Sequence, residues 1–355
     1  MKSKVLISSG GSGGHVLPAM TIYDHLKFSF ETFISTDNRG LKYLDKDNYK
    51  IIIIDTPKLN NIFLLPFKIF KVLFLTIKSL IILKKEKFSI LISTGGYMSL
   101  PLCLAARILN IKIFLFEPNM VLGRSNRFFL NFSNKLICYS KNLINLPKKF
   151  EKKLTVINPL IRKKYYEMNK FKKDNDVFTI LIIGGSQGAN IFDNLINEVF
   201  TNVSTTCSLK VIHQTSHKNI NLLKNFYNEN EIENHVFTFD KNINNILAQT
   251  DLCITRAGAS SLAEISFLKI PFIAIPLPSA MDNHQYENAK FYRDKNCCWI
   301  IKQNDFDKQE FEKLLIKLSS KRDEYYEKKI NLEKLNYQNT WNNVNQNLLE
   351  VVNEN

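Results

Sequence analysis

The chain of 355 residues is long enough for about two domains, at roughly 150 residues each. Its 45% apolar and 23% charged residues exclude a disordered polymer and leave material for ordinary buried cores. The formal net charge of +15 favours an anionic partner (nucleic acid, a phosphorylated ligand or an acidic membrane face), unless lysines scattered through a Lys-, Asn- and Ile-heavy composition account for it.

At the N-terminus, Lys2 and Lys4 precede an apolar run of only Val5, Leu6 and Ile7, too short for a secretory signal core and followed by no cleavage site. Cys103, Cys138, Cys207, Cys253, Cys297 and Cys298 form no Cys-x-x-Cys and no zinc-spaced cluster with histidine. Reduced cytoplasmic thiols, most of them small core residues, are expected.

Short apolar runs then alternate with longer mixed segments, the pattern of parallel sheets covered by helices. Runs at 5–8, 32–35, 51–54, 90–93, 113–116, 135–138 and 154–157 predict the strands of a first half. A lysine-rich, turn-prone stretch over 162–176 reads as an exposed linker. Alternation resumes with predicted strands at 179–183, 210–214, 236–239, 252–255, 272–275 and 299–301. Roughly the last fifty residues are polar, with apolar positions at the spacing of an amphipathic helix. The pattern predicts two doubly wound α/β domains with a cleft, in which ligands bind beyond the carboxyl ends of the strands.

Three glycine-rich turns stand at such strand ends. Gly10-Gly11-Ser12-Gly13-Gly14-His15 follows the first strand and precedes a helix expected to start near Pro18. Thr94-Gly95-Gly96-Tyr97 and Gly184-Gly185-Ser186-Gln187-Gly188-Ala189 follow the strands at 90–93 and 179–183. Glycines let the backbone approach an anion closely, and a helix N-terminus adds unpaired N–H donors and a favourable dipole. One such turn often serves only strand-to-helix packing; three in register with strand ends point to ligands. None carries the Lys-Ser/Thr ending of a phosphate loop, and the first lacks a strict Gly-x-Gly-x-x-Gly.

The segment from Gly10 to Ala19 resembles the N-terminal loop of the MurG family, the UDP-N-acetylglucosamine transferases that act on undecaprenyl-pyrophosphoryl-N-acetylmuramyl pentapeptide. Thr94-Gly95-Gly96-Tyr97 resembles its second loop, and Glu117-Pro118-Asn119 its His-Glu-Gln-Asn segment, from which Phe116 and Pro118 depart. Asn158-Pro159-Leu160-Ile161-Arg162 is similar to the family's Asn-Pro-x-Arg with one extra residue. The 184–189 turn matches the donor loop unchanged. Two last motifs follow in Arg256 to Glu264 and Asp282 to Ala289, where His284 stands in place of a usual glutamine.

The resemblance runs from about residue 4 to residue 300 with the motifs in order. It implies a GT-B fold, two Rossmann-like doubly wound domains facing across a cleft. An acceptor- and membrane-binding domain would span 1–160 and a UDP-sugar-binding domain 161–335, with a C-terminal helix over 336–355 packing back toward the first. The implied activity is transfer of N-acetylglucosamine to the 4-hydroxyl of the muramyl lipid, inverting the anomeric centre, without cofactor.

The resemblance assigns UDP-N-acetylglucosamine to Ser12, Gly13, Gly14, Asn119, Arg162, Ser186, Asp240, Ala259, Ser260, Ser261, Leu262, Ala263, Glu264 and Gln285. It assigns the acceptor to Thr94, Gly95, Gly96 and Tyr97. Backbone donors near Ser186 suit a diphosphate and Arg162 a charge-assisted clamp. Glu264 can accept both ribose hydroxyls, or serve only as a helix-start carboxylate. The reaction needs a base for the acceptor hydroxyl and charge stabilisation on departing UDP. His15 is the first candidate base, alternatively a phosphate or acceptor contact or a structural residue, and Glu117 is its rival.

No metal is implied: the Asp-x-Asp pairs at 45/47, 174/176 and 305/307 read as polar turns. Between about 62 and 88 the chain is strongly apolar yet carries Lys68, Lys71, Lys78, Lys84, Lys85 and Lys87. Each lysine would cost about 2.5–3.5 kcal/mol at mid-bilayer, which argues against a spanning helix. Attachment to an anionic membrane surface on the cytoplasmic side is the expectation, against an ordinary core helix with a solvated face. Competing functions are another GT-B glycolipid transferase, a UDP-sugar epimerase, or a non-catalytic nucleotide- or nucleic-acid-binding protein. No nucleic-acid partner is expected, because no aromatic-rich basic strand or compact recognition helix is present.

Overall fold

In the first strand, Val5 and Ile7 face one layer and Leu6 the other, the two-residue period that lets a central strand feed a core on both sides. The computed structural model describes residues 2–57, 65–168, 177–184, 190–195, 197–240 and 242–354. It divides into two units, Met1–Lys163 with Asn339–Asn355, and Lys164–Gln338.

Unit one carries β1 (Lys4–Ser8), α1 (Gly13–Leu26), β2 (Glu31–Thr36), β3 (Ile51–Ile53), α2 (Leu65–Lys85) and β4 (Phe88–Ser93). It continues with α3 (Leu100–Ile108), β5 (Lys112–Glu117), α4 (Arg124–Phe129), β6 (Lys135–Cys138) and β7 (Leu154–Val156). The seven strands are parallel, in the order β3-β2-β1-β4-β5-β6-β7.

Unit two follows α5 (Lys163–Tyr166) with β8 (Phe178–Ile183), α6 (Asn190–Leu195), α7 (Asn197–Ser204), β9 (Leu209–Gln214), α8 (Ile220–Glu229) and β10 (Glu233–Phe237). Then come α9 (Ile243–Ala248), β11 (Leu252–Thr255), α10 (Ala259–Phe267), β12 (Phe272–Ala274), α11 (His284–Arg293) and β13 (Cys298–Ile300). The helices α12 (Lys308–Ser320) and α13 (Asp323–Asn336) close the unit, and α14 (Trp341–Asn353) belongs to unit one. Its sheet is also parallel, ordered β10-β9-β8-β11-β12-β13. Both orders are the doubly wound arrangement of a Rossmann-like fold.

Every run predicted as a strand forms one within a few residues. The largest offset is at β10, which starts at Glu233 rather than 236. As an edge strand paired only with β9, it tolerates the polar Glu233-Asn234-His235 that masked it. The helix α1 begins at Gly13, not near Pro18, and Pro18 lies inside it. Proline removes one helical donor, a loss tolerable this close to the start, where the His15 and Val16 N–H groups both turn back to the Ser12 carbonyl. The expected linker is in part structured: Tyr165 in α5 is buried and Tyr166 meets Phe267 edge-on at 4.6 Å.

The α14 side chains Val344, Leu348, Val351 and Val352 join Val5, Ile7 and Ile22 in one core. At that contact His25 of α1 stacks on Trp341, centroids 3.7 Å apart. Burial pushes the His25 imidazole down to about 4, with the nearby Asn345 side chain opposing it. A histidine depressed in the fold and ordinary in the unfolded chain gives stability that is present above pH 6.5 and lost as pH falls toward 4. His25→Phe keeps the ring stack without the proton site. Between pH 7 and pH 4.5 the wild type is expected to lose on the order of 2 kcal/mol more unfolding free energy than this variant. Parallel pH curves in denaturant titrations would refute a neutral, buried His25.

Candidate active site

In each sheet the chain leaves the first strand in one direction and later returns on its other side. That reversal opens a crevice at the carboxyl ends, between β1 and β4 and between β8 and β11. The turns 10–15 and 94–97 sit at the first of these places, and Gly184 follows β8 at the second.

In unit one, Ser12 precedes α1 without a side-chain cap, so the Gly13 and Gly14 N–H groups have no intrahelical acceptor. His15, one turn in, places Nδ1 2.7 Å from the Thr94 carbonyl oxygen. A carbonyl only accepts, so Nδ1 carries the proton and Nε2 of the neutral ring keeps its lone pair. That nitrogen faces Gly96, where an added Cβ would lie 3.2 Å from it. Gly96 also has φ +78°, a left-handed value that favours glycine. Thr94 is tied to the end of β1, its N–H 3.0 Å and its hydroxyl 3.2 Å from the Ser8 carbonyl.

Glu117, at the end of β5, is 3% exposed, and both its oxygens are engaged. Oε1 accepts from the Asn119 N–H at 3.2 Å and the Asn119 amide at 2.9 Å. Oε2 accepts from the Gly123 N–H at 2.8 Å and from Asn126 Nδ2 at 3.0 Å. Such a carboxylate holds a loop in shape; its lone pairs are spent on four donors.

Unit two offers a second set. Gly184 follows β8, and Ser186 with the rest of 185–189 lies outside the described residues. Gly258 caps α10 with backbone only, leaving the Ala259, Ser260 and Ser261 N–H groups free of intrahelical acceptors ahead of buried Leu262 and Ala263. Glu264 is the sixth residue of α10 and buried, so it is not a first-turn carboxylate. Gln285 Oε1 accepts from the Ala257 N–H at 3.2 Å and the Leu277 N–H at 3.0 Å, binding two strand-end loops together. His284 Nδ1 donates to the Met281 carbonyl at 2.8 Å. Asp240 turns its Oδ1 to the Asn242 N–H at 2.6 Å, and Arg162 is half-buried at the end of unit one.

The structure thus gathers Ser12, Gly13, Gly14, His15, Thr94, Gly95, Gly96, Tyr97, Glu117 and Asn119 at the carboxyl ends of β1, β4 and β5. In the other unit it gathers Ala259 to Glu264 with Gln285. Sequence reasoning missed Asn126, Asn288 and the pair Asp37 and Arg39. Asn288 Nδ2 donates to the Ala257 carbonyl at 3.1 Å, and Arg256 donates to the Ile275 and Pro276 carbonyls at 2.9 and 3.2 Å. Asp37-Asn38-Arg39-Gly40 directly follows β2, so its position at a strand end was the available signal. Among the described residues no three His, Cys, Asp or Glu side chains gather as a metal site. Asp45 serves a turn through the Asp47 N–H at 3.1 Å, and Asp307 caps α12 through the Glu310 N–H at 2.9 Å.

Known proteins match both units. Residues 5–137 match the glycosyltransferase family 28 N-terminal domain, and residues 179–342 the glycosyltransferase family 28 C-terminal domain. A Pelagibacter ubique UDP-N-acetylglucosamine–N-acetylmuramyl-(pentapeptide) pyrophosphoryl-undecaprenol N-acetylglucosamine transferase is 47% identical, covering 100% of both chains. The Rickettsia bellii protein of the same description is 35% identical over 89% of this chain and 91% of its own. Among solved structures, Acinetobacter baumannii MurG superposes with TM-score 0.77 at 23% identity, covering 98% of this chain and 99% of that one. A Neisseria meningitidis UDP-GlcNAc 2-epimerase superposes with TM-score 0.68 at 13% identity, covering 99% and 100%. These structural likenesses establish the two-domain GT-B fold.

The loop-holding part of Glu117 has a direct consequence. Glu117→Gln turns one acceptor oxygen into a donor facing an N–H group, and the unsatisfied pair is expected to cost about 1–3 kcal/mol of unfolding free energy. Chemical denaturation of the two proteins measures it; equal midpoints would show that the four hydrogen bonds are not holding the loop.

Proposed function

The chain belongs to the MurG family within glycosyltransferase family 28, and we propose that it is an inverting, metal-independent transferase with His15 as general base. Its reaction moves N-acetylglucosamine from UDP-N-acetylglucosamine to undecaprenyl-pyrophosphoryl-N-acetylmuramyl pentapeptide, a step of peptidoglycan synthesis. The observation that carries the mechanism is the 2.7 Å hydrogen bond from His15 Nδ1 to the Thr94 carbonyl. It fixes the tautomer in which Nε2 can take the proton of the acceptor 4-hydroxyl as that oxygen attacks the anomeric carbon. The Thr94 to Tyr97 turn holds the acceptor. Glu117 keeps the 117–126 loop in place and presents Asn119.

On the donor side, the free N–H groups at the start of α10 and the helix dipole stabilise the negative charge that grows on departing UDP. Gln285 aligns the same loop against the sugar. Glu264 is assigned the two ribose hydroxyls, Asp240 the uracil, and Ser186 and Arg162 the diphosphate. Backside displacement on an α-linked donor gives a β-linked product.

Membrane attachment at the cytoplasmic face rests on α2. Phe67, Phe70, Phe74, Ile77 and Ile81 recur at three- and four-residue spacing and are 58–77% exposed. Exposed Lys71, Lys78 and Lys85 border this stripe at every seventh residue. The opposite face, with Val72, Leu75 and Leu83, is buried in the core. No helix among the described residues is long and apolar enough to cross a membrane. An exposed apolar stripe edged by cations suits the headgroup boundary of an anionic bilayer; residues 62–64 of the expected membrane segment lie outside the described residues.

Labelled UDP-N-acetylglucosamine, a short-chain muramyl-pyrophosphoryl lipid and a chelator test the chemistry together, with sugar transfer and UDP release both measured. His15→Ala is expected to lower kcat at least about 100-fold. Gly96→Ala, whose methyl crowds the base, should cost about ten-fold, and Glu264→Ala should raise the donor KM. UDP-sugar turnover without acceptor, or full kcat in His15→Ala, would defeat this mechanism. Replacing Phe70, Phe74 and Ile77 together by serine is expected to weaken binding to anionic vesicles at least about ten-fold; unchanged vesicle sedimentation would remove α2 as the attachment surface.

A further inference from the structure

Asp37 and Arg39 stand at the carboxyl end of β2, beside the unit-one crevice, and the chemistry above gives them nothing to do. Asp37 is fully buried. Its Oδ1 accepts the Gly11 N–H at 2.9 Å and the Gly40 N–H at 2.9 Å. Its Oδ2 accepts from Arg39 Nε at 2.7 Å and lies 2.6 Å from Nη2. The same Nη2 donates to the Tyr97 hydroxyl, and the guanidinium lies over the Tyr97 ring, 5.5 Å from its centroid. Burial alone would raise the Asp37 carboxyl, but the Gly11 and Gly40 N–H groups and Arg39 together hold it below the ordinary range. The group is therefore an anion in the folded protein at neutral pH.

The turn that aims the pair is itself constrained. A Cβ on Gly40 would come within 2.1 Å of Thr36 Oγ1 and 3.2 Å of Asp37 Oδ1. A Cβ on Gly10 would lie 3.0 Å from Asp37 Oδ1. The carboxylate thus reaches the first glycine turn two residues before α1 starts, while the arginine reaches the second turn one residue after Gly96. His15 spans the same two turns, rooted in the first and bonded to Thr94 in the second.

We propose that Asp37 and Arg39 are positioning residues of the transfer reaction, an ionic brace that fixes the separation of the two glycine turns and hence the placement of His15 Nε2. This rests on the reading of His15 as the base. An arginine suits the task because its planar fork reaches the carboxylate and the phenol at once, whereas a lysine ammonium holds either from one point.

The test uses the full-length protein with the same donor and lipid acceptor. Arg39→Gln is expected to lower kcat about ten-fold or more with donor affinity by calorimetry close to wild type; it also leaves the buried Asp37 carboxylate short of a partner and lowers the unfolding midpoint, so kcat is compared well below that midpoint. Arg39→Lys should recover part of the loss. Tyr97→Phe should cost kcat in the wild-type background and much less in Arg39→Gln, because the shared link is already gone. Wild-type kcat in Arg39→Gln alongside an inactive His15→Ala would overturn the brace and leave the base standing. Full activity in His15→Ala would remove the base and the brace with it. A loss in Arg39→Gln that appears equally in donor affinity, measured well below the unfolding midpoint, would make the pair a general stabilising contact and overturn the proposal.

Discussion

The parallel sheet imposes the constraint on which the rest depends. Parallel neighbours need crossovers, and a sheet wound both ways from its first strand must leave an uncovered crevice at that strand's carboxyl end. In unit one the crevice lies between β1 and β4, in unit two between β8 and β11. Chain leaving a strand there turns tightly and close to its neighbour, which explains why small residues stand at Gly10 to Gly14, Gly95 and Gly96, and Gly258. The same turns expose backbone N–H groups at helix starts, so the geometry that folds the sheet also prepares it for phosphate-bearing ligands.

Much of this was legible because it is written in short-range pattern. Two-sided burial makes continuous apolar runs such as 178–183 stand out, and the turns follow them directly. The GT-B architecture and the transferase family follow from those runs and motifs in order. What escaped was set by the partners each residue finds in the fold rather than by its type. Pro18 looked like a helix start because proline is common there, yet the preceding glycines can form the first turn themselves. Glu117 read as a rival base because its type permits that; only its four donors, drawn from Asn119, Gly123 and Asn126, reveal a loop anchor. Asp37 and Arg39 offered only their place after a strand, since their partners Gly11 and Tyr97 are 26 and 58 residues away.

The helix α2 illustrates how composition misleads without burial. Its sequence is strongly apolar with lysines interspersed, which argues against a span but fits either a core helix with a solvated face or a helix lying on a membrane surface. In the fold, Val72, Leu75 and Leu83 fill one face while the phenylalanines occupy the other. Thr76 and Ser79 are buried on the inner side, and their hydroxyls donate to the Val72 and Leu75 carbonyls at 2.8 and 2.7 Å. Their polarity is thus absorbed within the helix, and the outer stripe keeps its full apolar character. Contiguous exposed phenylalanine and isoleucine with a lysine border is a surface that water alone does not favour.

Two buried carboxylates and one histidine divide the labour of the unit-one crevice according to how many partners each has. Asp37 and Glu117 each accept several hydrogen bonds, which makes them fixed points for the loops around them. His15 is bonded through one ring nitrogen only, which orients it while leaving the other nitrogen available. A base must be held firmly yet keep one lone pair unclaimed, because any reorientation during proton transfer adds to the barrier. Saturated anions around an unsaturated imidazole meet both demands, and they do so with residues contributed by three different strand ends. Under the proposed mechanism, the close approach of Gly96 to Nε2 limits the in-plane directions from which an acceptor hydroxyl could reach that lone pair, so the same small residue that permits the turn also shapes access to the base.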